Sequence, residues 1–271
     1  MAPVEPPTHS HGEHPQAALR PLEPAEEALS AAELTERLGL WERPAEPPPR
    51  PRVMLNMVET ADGRATLNGR SGPVSGAADR ELFHALRASC DAVLIGAGTV
   101  RTERYGRMLR DESLRALRER HGLSPEPVAC IVSGRLALDE QIPLLRNPEA
   151  KVIVLTASEA SLPELGAKIE YVRTRGAQLD LPAAIAELAG RFSLASVMCE
   201  GGPHLAHQLL TAGLLDEIFL TVSPLLAGGE PSGGEALRIL AGGELETPVE
   251  LELLSAMRSA SYLFLRYAVR G

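Results

Sequence analysis

The stretch that decides the fold is VMCEGGPHLAHQLLT, Val197 to Thr211. Ala195 to Cys199 is a short apolar run of the length of a buried strand. It stops at Glu200-Gly201-Gly202. Pro203 then suits the first position of a helix whose apolar residues are Leu205, Ala206, Leu209 and Leu210. The reading is strand, glycine turn, helix. Lacking Cβ atoms, such a turn lets backbone N–H groups and the positive end of the helix dipole approach a phosphate. Glu200 falls at the carboxyl end of the strand, where open α/β sheets bind their ligands. Gly-Gly-Pro also serves as a tight connection with no ligand, so the turn needs support from the rest of the chain.

Outward from this unit the alternation repeats. Strands are expected at Val53 to Val58, Asp91 to Ile95, Val128 to Val132, Lys151 to Thr156 and Ile169 to Val172. Helices are expected from Ser75 or Gly76 to Ser89, with Leu82, Phe83 and Leu86 inward, from Leu114 to His121, and from Leu181 to Arg191. Beyond the opening stretch come a strand at Glu217 to Val222 and a glycine-rich loop from Gly228-Gly229 to Gly243. Two runs close the chain, Val249 to Ala256 and Ser261 to Val269, about a turn apart, as in an antiparallel hairpin. The expected class is α/β: a mixed, mostly parallel sheet with helices on both faces and a C-terminal antiparallel hairpin.

Residues 1–51 hold eleven of the 22 prolines, which sets them apart as an extension ahead of a domain spanning 52–271. Residues 1–21, with His9, His11 and His14 and no apolar periodicity, read as disordered. Pro24 to Gly39 reads as a helix, with Glu26 and Glu27 in its first turn and Leu34 and Leu38 on one face, lying on the main domain or on a partner subunit. His11-Gly12-Glu13 matches the His-x-Glu of zinc deaminases, but no Pro-Cys-x-x-Cys follows, so that chemistry is rejected.

Composition excludes several classes. A net charge of −9 without a basic face argues against nucleic-acid binding. No apolar run approaches the roughly 18 residues of a membrane span, and no signal peptide is evident. Three cysteines, at 90, 130 and 199, include no CxxC pair, which points to buried thiols and a cytoplasmic protein. No metal set has ligand spacing, and no G-x-S-x-G occurs.

Three strands end in small turns: Gly96-Ala97-Gly98-Thr99, Ser133-Gly134-Arg135 and Glu200-Gly201-Gly202. In a parallel sheet these ends converge on one edge and together outline a dinucleotide. The first turn is not a full G-x-G-x-x-G, so the fingerprint itself is weak. Ser133 and Arg135 suit a 2′-phosphate, which would favour NADPH over NADH, although Arg135 equally suits solvent. Arg101, Arg104, Arg107 and Arg110 punctuate the loop after Thr99, a phosphate signal in an acidic chain. Arg87 either joins them or pairs with a surface acid. Glu200 either orients a heterocycle through its N–H groups, assists proton transfer, or caps its own turn.

Asp62-Gly63-Arg64, Gly69-Arg70-Ser71-Gly72, Leu86-Arg87-Ala88, Gly96-Ala97-Gly98-Thr99-Val100-Arg101 and Glu200-Gly201-Gly202-Pro203 occur in an order and spacing that resemble one family. From Val53 to Val269 the chain resembles the reductase domain of riboflavin biosynthesis, the pyrimidine reductase branch of the dihydrofolate-reductase-like fold. The resemblance implies NADPH as hydride donor, usually a homodimer, and reduction of the ribosyl group of 5-amino-6-(5-phosphoribosylamino)uracil to ribityl. Carried across residue by residue, it implies that Val58, Pro73, Thr99, Glu103 and Ser133 meet the cofactor. Gly201, Gly202, Pro203, His204, Leu205, Ala206 and His207 match its pyrophosphate turn. Ser71, Arg87, Arg107 and Arg110 match substrate positions, and Glu200 matches the acid that contacts the substrate.

Two departures stand out. The two-domain enzymes carry a zinc deaminase before the reductase, whereas a Pro-rich tail and one helix precede it here. Those enzymes also tend to have Lys where this chain has Asn56, which leaves dihydrofolate or another pterin as an alternative substrate. A non-catalytic nucleotide-binding module, docking a partner through the Pro24 to Gly39 helix, stays open at this point.

Overall fold

The computed structural model describes residues 28–46, 48–228 and 237–270. The expected tail over 1–21, the start of the helix at Pro24 and the centre of the glycine-rich loop lie outside the described residues. The chain runs α1 (Ala31–Arg37), β1 (Arg52–Thr60), α2 (Ala77–Ser89), β2 (Ala92–Gly96), α3 (Ala97–Glu103), α4 (Glu112–Arg120), β3 (Val128–Val132) and α5 (Pro143–Arg146). It continues with β4 (Lys151–Thr156), β5 (Lys168–Arg173), α6 (Leu181–Gly190), β6 (Ser196–Cys199), α7 (Pro203–Thr211), β7 (Glu217–Ser223), β8 (Glu250–Ser259) and β9 (Tyr262–Arg270).

All nine strands form one sheet in the order β5-β4-β3-β2-β6-β1-β7-β9-β8. The seven from β5 to β7 are parallel, and β9 turns antiparallel against β7. The hairpin β8–β9 is therefore an antiparallel edge on a parallel sheet, as expected. Its central strands are buried on both faces, which is why they read as unbroken apolar runs. Strand alternation sorts those residues into two cores. Val53, Leu55, Leu94 and Val197 pack under α6 and α7 with Ile185, Leu188, Ala206 and Leu209. On the other face Val93, Ile95 and Ile131 pack against Val100 of α3 and Leu144 and Leu145 of α5. Met54 and Met198 meet Leu82 and Leu86 of α2 there as well.

Two helices escaped the sequence reading. Gly96-Ala97-Gly98-Thr99 looks like a turn, yet only Gly96 is extended, and α3 starts at Ala97. The four residues of α5 are too few for apolar periodicity to register. The first helix is also shorter than expected. Ser30 ends it at the N-terminal side through a capping box, accepting from the Glu33 N–H while Glu33 accepts from the Ser30 N–H.

This helix and the turn after it brace α2. Trp41 is buried against Ala88 and Leu117, donates to Thr35 Oγ1 at 3.0 Å and stacks on His121 with ring centroids 4.3 Å apart. The last carbonyls of α2 have no intrahelical partners, and two arginines satisfy them. Arg43 donates to the Ser89 carbonyl at 2.8 Å, and buried Arg118 donates to those of Ala88 and Cys90, both at 2.6 Å. Burial of Arg118 brings its pKa down to about 10. The three thiols are buried and unpaired, and burial pushes those of Cys90 and Cys199 up to about 12.

Candidate active site

The carboxyl ends of β1, β2 and β6, three neighbours in the sheet, open onto one cleft of about 920 Å³, within the range of small-molecule sites. β2 and β6 meet there directly. The Glu200 N–H donates to the Leu94 carbonyl at 3.0 Å, and the Gly96 N–H donates to the Gly201 carbonyl at 2.8 Å. The turn between β6 and α7 demands glycine twice. Gly201 has φ +81°, and a Cβ there would lie 3.3 Å from Met57 Sδ. A Cβ on Gly202 would lie 2.9 Å from Thr99 Oγ1. Gly202 is the N-cap of α7 and Pro203 its first residue, so no side chain occupies the first-turn N–H groups. Gly202, Pro203, His204 and Leu205, which open this helix, line the cleft.

The floor of the cleft is a buried ion pair. Arg87, late on α2, donates from Nε to Glu200 Oε1 and from Nη2 to Glu200 Oε2, both at 2.7 Å. Its Nη1 donates to the Met108 carbonyl at 2.7 Å, and its guanidinium lies 4.3 Å from the Phe83 ring centroid. Both partners are over nine-tenths buried, at 6 % and 8 % exposure. Burial works against the Arg87 charge, but the Glu200 carboxylate outweighs it and the Arg87 pKa is raised. Tyr105 Oη donates to Glu200 Oε2 at 2.6 Å. Burial, and then the Glu200 charge, hold the phenol well above its ordinary value. Burial, then the Arg87 charge, lowers the pKa of His84, which also lines the cleft.

The residues singled out from sequence separate into groups. Val58, Ser71, Arg87, Thr99, Glu103, Arg107 and Arg110 line the cleft with Glu200. Their exposure differs: Arg110 is solvent-exposed, whereas Arg107 is ion-paired with Glu126 and Glu149. Pro73, Ser133, Gly201, Ala206 and His207 do not line it. Ala206 is wholly buried on the core side of α7, and His207 Nε2 is 2.8 Å from the Gly243 carbonyl oxygen. Ser133 sits at the tip of β3, its N–H donating to the Leu155 carbonyl at 3.0 Å, and Arg135 beside it is exposed. Arg87 meets an acid, as one reading allowed, but at the floor of the cleft rather than at the rim. Asn56, Asp79, His84 and Tyr105 line the cleft without having been assigned a role there. Tyr105 lies inside the arginine-rich loop, where nothing in the local sequence marks it as a partner of Glu200.

A parallel sheet whose central strand tips and uncapped helix share one cleft has the layout of a nucleotide site. The sequence pattern of the RibD C-terminal domain matches residues 51–261, and the chain belongs to that family. It is 29% identical over 230 residues to the 2,5-diamino-6-ribosylamino-4(3H)-pyrimidinone 5′-phosphate reductase of Methanothermobacter thermautotrophicus, covering 82% of this chain and all of that one. It is 26% identical over 230 residues to the riboflavin biosynthesis protein RibD of Actinobacillus pleuropneumoniae, covering 81% of this chain and 57% of that one. Among solved structures, Acinetobacter baumannii RibD superposes with a TM-score of 0.65 at 24% identity, over 82% of this chain and 59% of that one. The Saccharomyces cerevisiae riboflavin biosynthesis reductase Rib7 superposes with 0.62 at 20%, over 88% and 100%. The family implies a nicotinamide cofactor, and the uncapped turn at Gly201-Gly202 fits one. Among the described residues no cluster of side chains suits a metal, and no helix is long and apolar enough to cross a membrane.

Proposed function

We propose that the protein is an NADPH-dependent reductase of a phosphoribosylaminopyrimidine, converting its ribosyl group to ribityl. The observation that carries this reading is that the first turn of α7, from Gly202, and the buried Arg87–Glu200–Tyr105 cluster line one cleft. Similarity along the whole length of the Methanothermobacter thermautotrophicus pyrimidinone phosphate reductase, over 82% of this chain, supports the substrate class. The α7 N-terminus with Gly202 and Pro203 would hold the pyrophosphate, and Thr99 and Val58 would flank the dinucleotide. When bound, the cofactor supplies a hydride to the carbon that becomes C1′ of the ribityl chain.

The chain's own residues bind, orient and exclude water. Arg87 and Tyr105 hold the Glu200 side chain in place, and its one remaining acceptor position takes an N–H group of the ring. Arg110, exposed at the mouth, and Ser71 receive the phosphate. Arg107 keeps the loop in place through Glu126 and meets the phosphate only if it leaves that pairing. A homodimer joined through the terminal hairpin completes the reading. β8 is an edge strand, and Leu251, Leu253 and Leu254 on it are exposed. Three unpaired buried thiols support a cytoplasmic setting.

The test is an assay of NADPH oxidation with three substrates: 5-amino-6-(5-phosphoribosylamino)uracil, its 2-amino pyrimidinone counterpart and dihydrofolate. Turnover with either phosphoribosyl compound and not with dihydrofolate is expected. Turnover with dihydrofolate alone overturns the reading.

A further inference from the structure

Three donors converge on Glu200, and Tyr105 supplies the one beyond the two-pronged pairing with Arg87. Oε2 accepts from both Arg87 Nη2 and Tyr105 Oη, which uses its two lone pairs. Oε1 accepts from Arg87 Nε alone, which leaves it one acceptor position, and Glu200 is among the residues that line the cleft. Tyr105 is itself fixed from behind. Its carbonyl accepts from the Leu144 N–H at 2.9 Å, and the Arg87 guanidinium lies 5.6 Å from its ring centroid. The loop that carries it is pinned again at Met108, whose N–H donates to Glu126 Oε2 at 3.1 Å and whose carbonyl receives Arg87. A phenolate here would set a second negative charge against Glu200, so the hydroxyl stays a donor.

We propose that Tyr105 is the positioning residue that holds the Glu200 carboxylate in register, leaving Oε1 to select a ring presenting an N–H donor against one presenting an acceptor. The inference rests on the reductase reading and names what sets ring selectivity at that site. A ring nitrogen or carbonyl oxygen placed at Oε1 would meet a lone pair, whereas an N–H completes the last acceptor position. Tyr105 acts through Glu200 and not on the reacting carbon. Its loss therefore weakens substrate binding more than it slows turnover.

The experiment compares wild type, Tyr105→Phe, Glu200→Gln and the double variant, with NADPH and the phosphoribosylaminopyrimidine. Tyr105→Phe is expected to raise the pyrimidine KM about tenfold, the loss of one charge-assisted hydrogen bond. It should leave kcat and the NADPH KM within about twofold, and it should add nothing further in the Glu200→Gln background. An equal loss in both backgrounds, or a loss that falls on NADPH, overturns the inference. Alkaline absorbance titration checks the bond without turnover. Tyrosinate signal absent from wild type relative to Tyr105→Phe near pH ~10, and appearing at lower pH in Glu200→Gln, is expected. A Tyr105 that ionises alike in wild type and Glu200→Gln overturns the inference. Wild type that oxidises no NADPH with any phosphoribosylaminopyrimidine fails the reductase reading itself. Active wild type with an unaltered Tyr105→Phe fails only the inference.

Discussion

Arg87 and Glu200, 113 residues apart in sequence, face each other through two parallel hydrogen bonds of 2.7 Å in the floor of the cleft. Removing one partner leaves the other charge buried without compensation, which costs about 3–5 kcal/mol. Arg87→Met is expected to lose that much stability, read as a lower midpoint in urea unfolding. Replacing both, as Arg87→Met with Glu200→Leu, removes both charges together and should restore most of the stability. That double variant is expected to remain inactive. Recovery of activity along with stability would show that the pair serves only the fold.

The approach of Gly202 to Thr99 predicts a second pair of variants. Gly202→Ala would put a Cβ 2.9 Å from Thr99 Oγ1, closer than real Cβ contacts come. The turn must shift, and the first-turn N–H groups of α7 shift with it. Calorimetric titration is expected to show NADPH affinity reduced at least about tenfold, the loss of one good hydrogen bond to a charged group. Thr99→Ala in the Gly202→Ala background removes the obstructing oxygen and should recover part of the affinity. No recovery would place the obstruction elsewhere.

Trp41 joins the N-terminal segment to the domain by burial, by a hydrogen bond to Thr35 and by stacking on His121. Trp41→Ala is expected to cost about 3 kcal/mol in thermal or denaturant unfolding, as large aromatic truncations do. It also loosens the brace behind α2, which carries Arg87, so the pyrimidine KM should rise with it. A variant as stable as wild type would mean that this segment is only appended to the domain.

Asp62 gives the acid side of the stability profile. It accepts from Thr60 Oγ1 and from the Ala227 and Gly228 N–H groups, and so ties the turn after β1 to the loop after β7. The Thr60 hydroxyl first, then the backbone donors, lower its pKa from 3.8 to about 2. A depressed carboxylate stabilises fully above its unfolded value and loses that contribution as pH falls through the folded one. Wild-type stability should therefore fall between pH 3.8 and about 2. Asp62→Asn should fall less over the same interval in pH-dependent thermal melts. Identical slopes would contradict the assignment.

Strands and the glycine turn were legible in the sequence for a simple reason. The β2 run Ala-Val-Leu-Ile and the β6 run Val-Met-Cys are buried on both faces, and few other contexts tolerate such runs. Gly201 has to adopt a left-handed backbone, and its residue type announces that. What stayed hidden depends on tertiary partners. Nothing local tells Arg87, which finds a carboxylate, from Arg110, which stays exposed. Glu126, which ties Arg107 and Arg115 together and holds the Met108 N–H, is a surface acid as far as its neighbours in sequence reveal. α3 was hidden because glycines at 96 and 98 weaken helix periodicity, while burial of Val100 in the core secures the helix.

The most direct test of the account follows the hydrogen itself. NADPH carrying deuterium at the reactive nicotinamide carbon would be incubated with the full chain and the phosphoribosylaminopyrimidine, and the product read by mass spectrometry. The account predicts one deuterium at C1′ of a ribityl product, dependent on protein and abolished in Arg87→Met. Product without label, or no product while the protein binds NADPH, would contradict it.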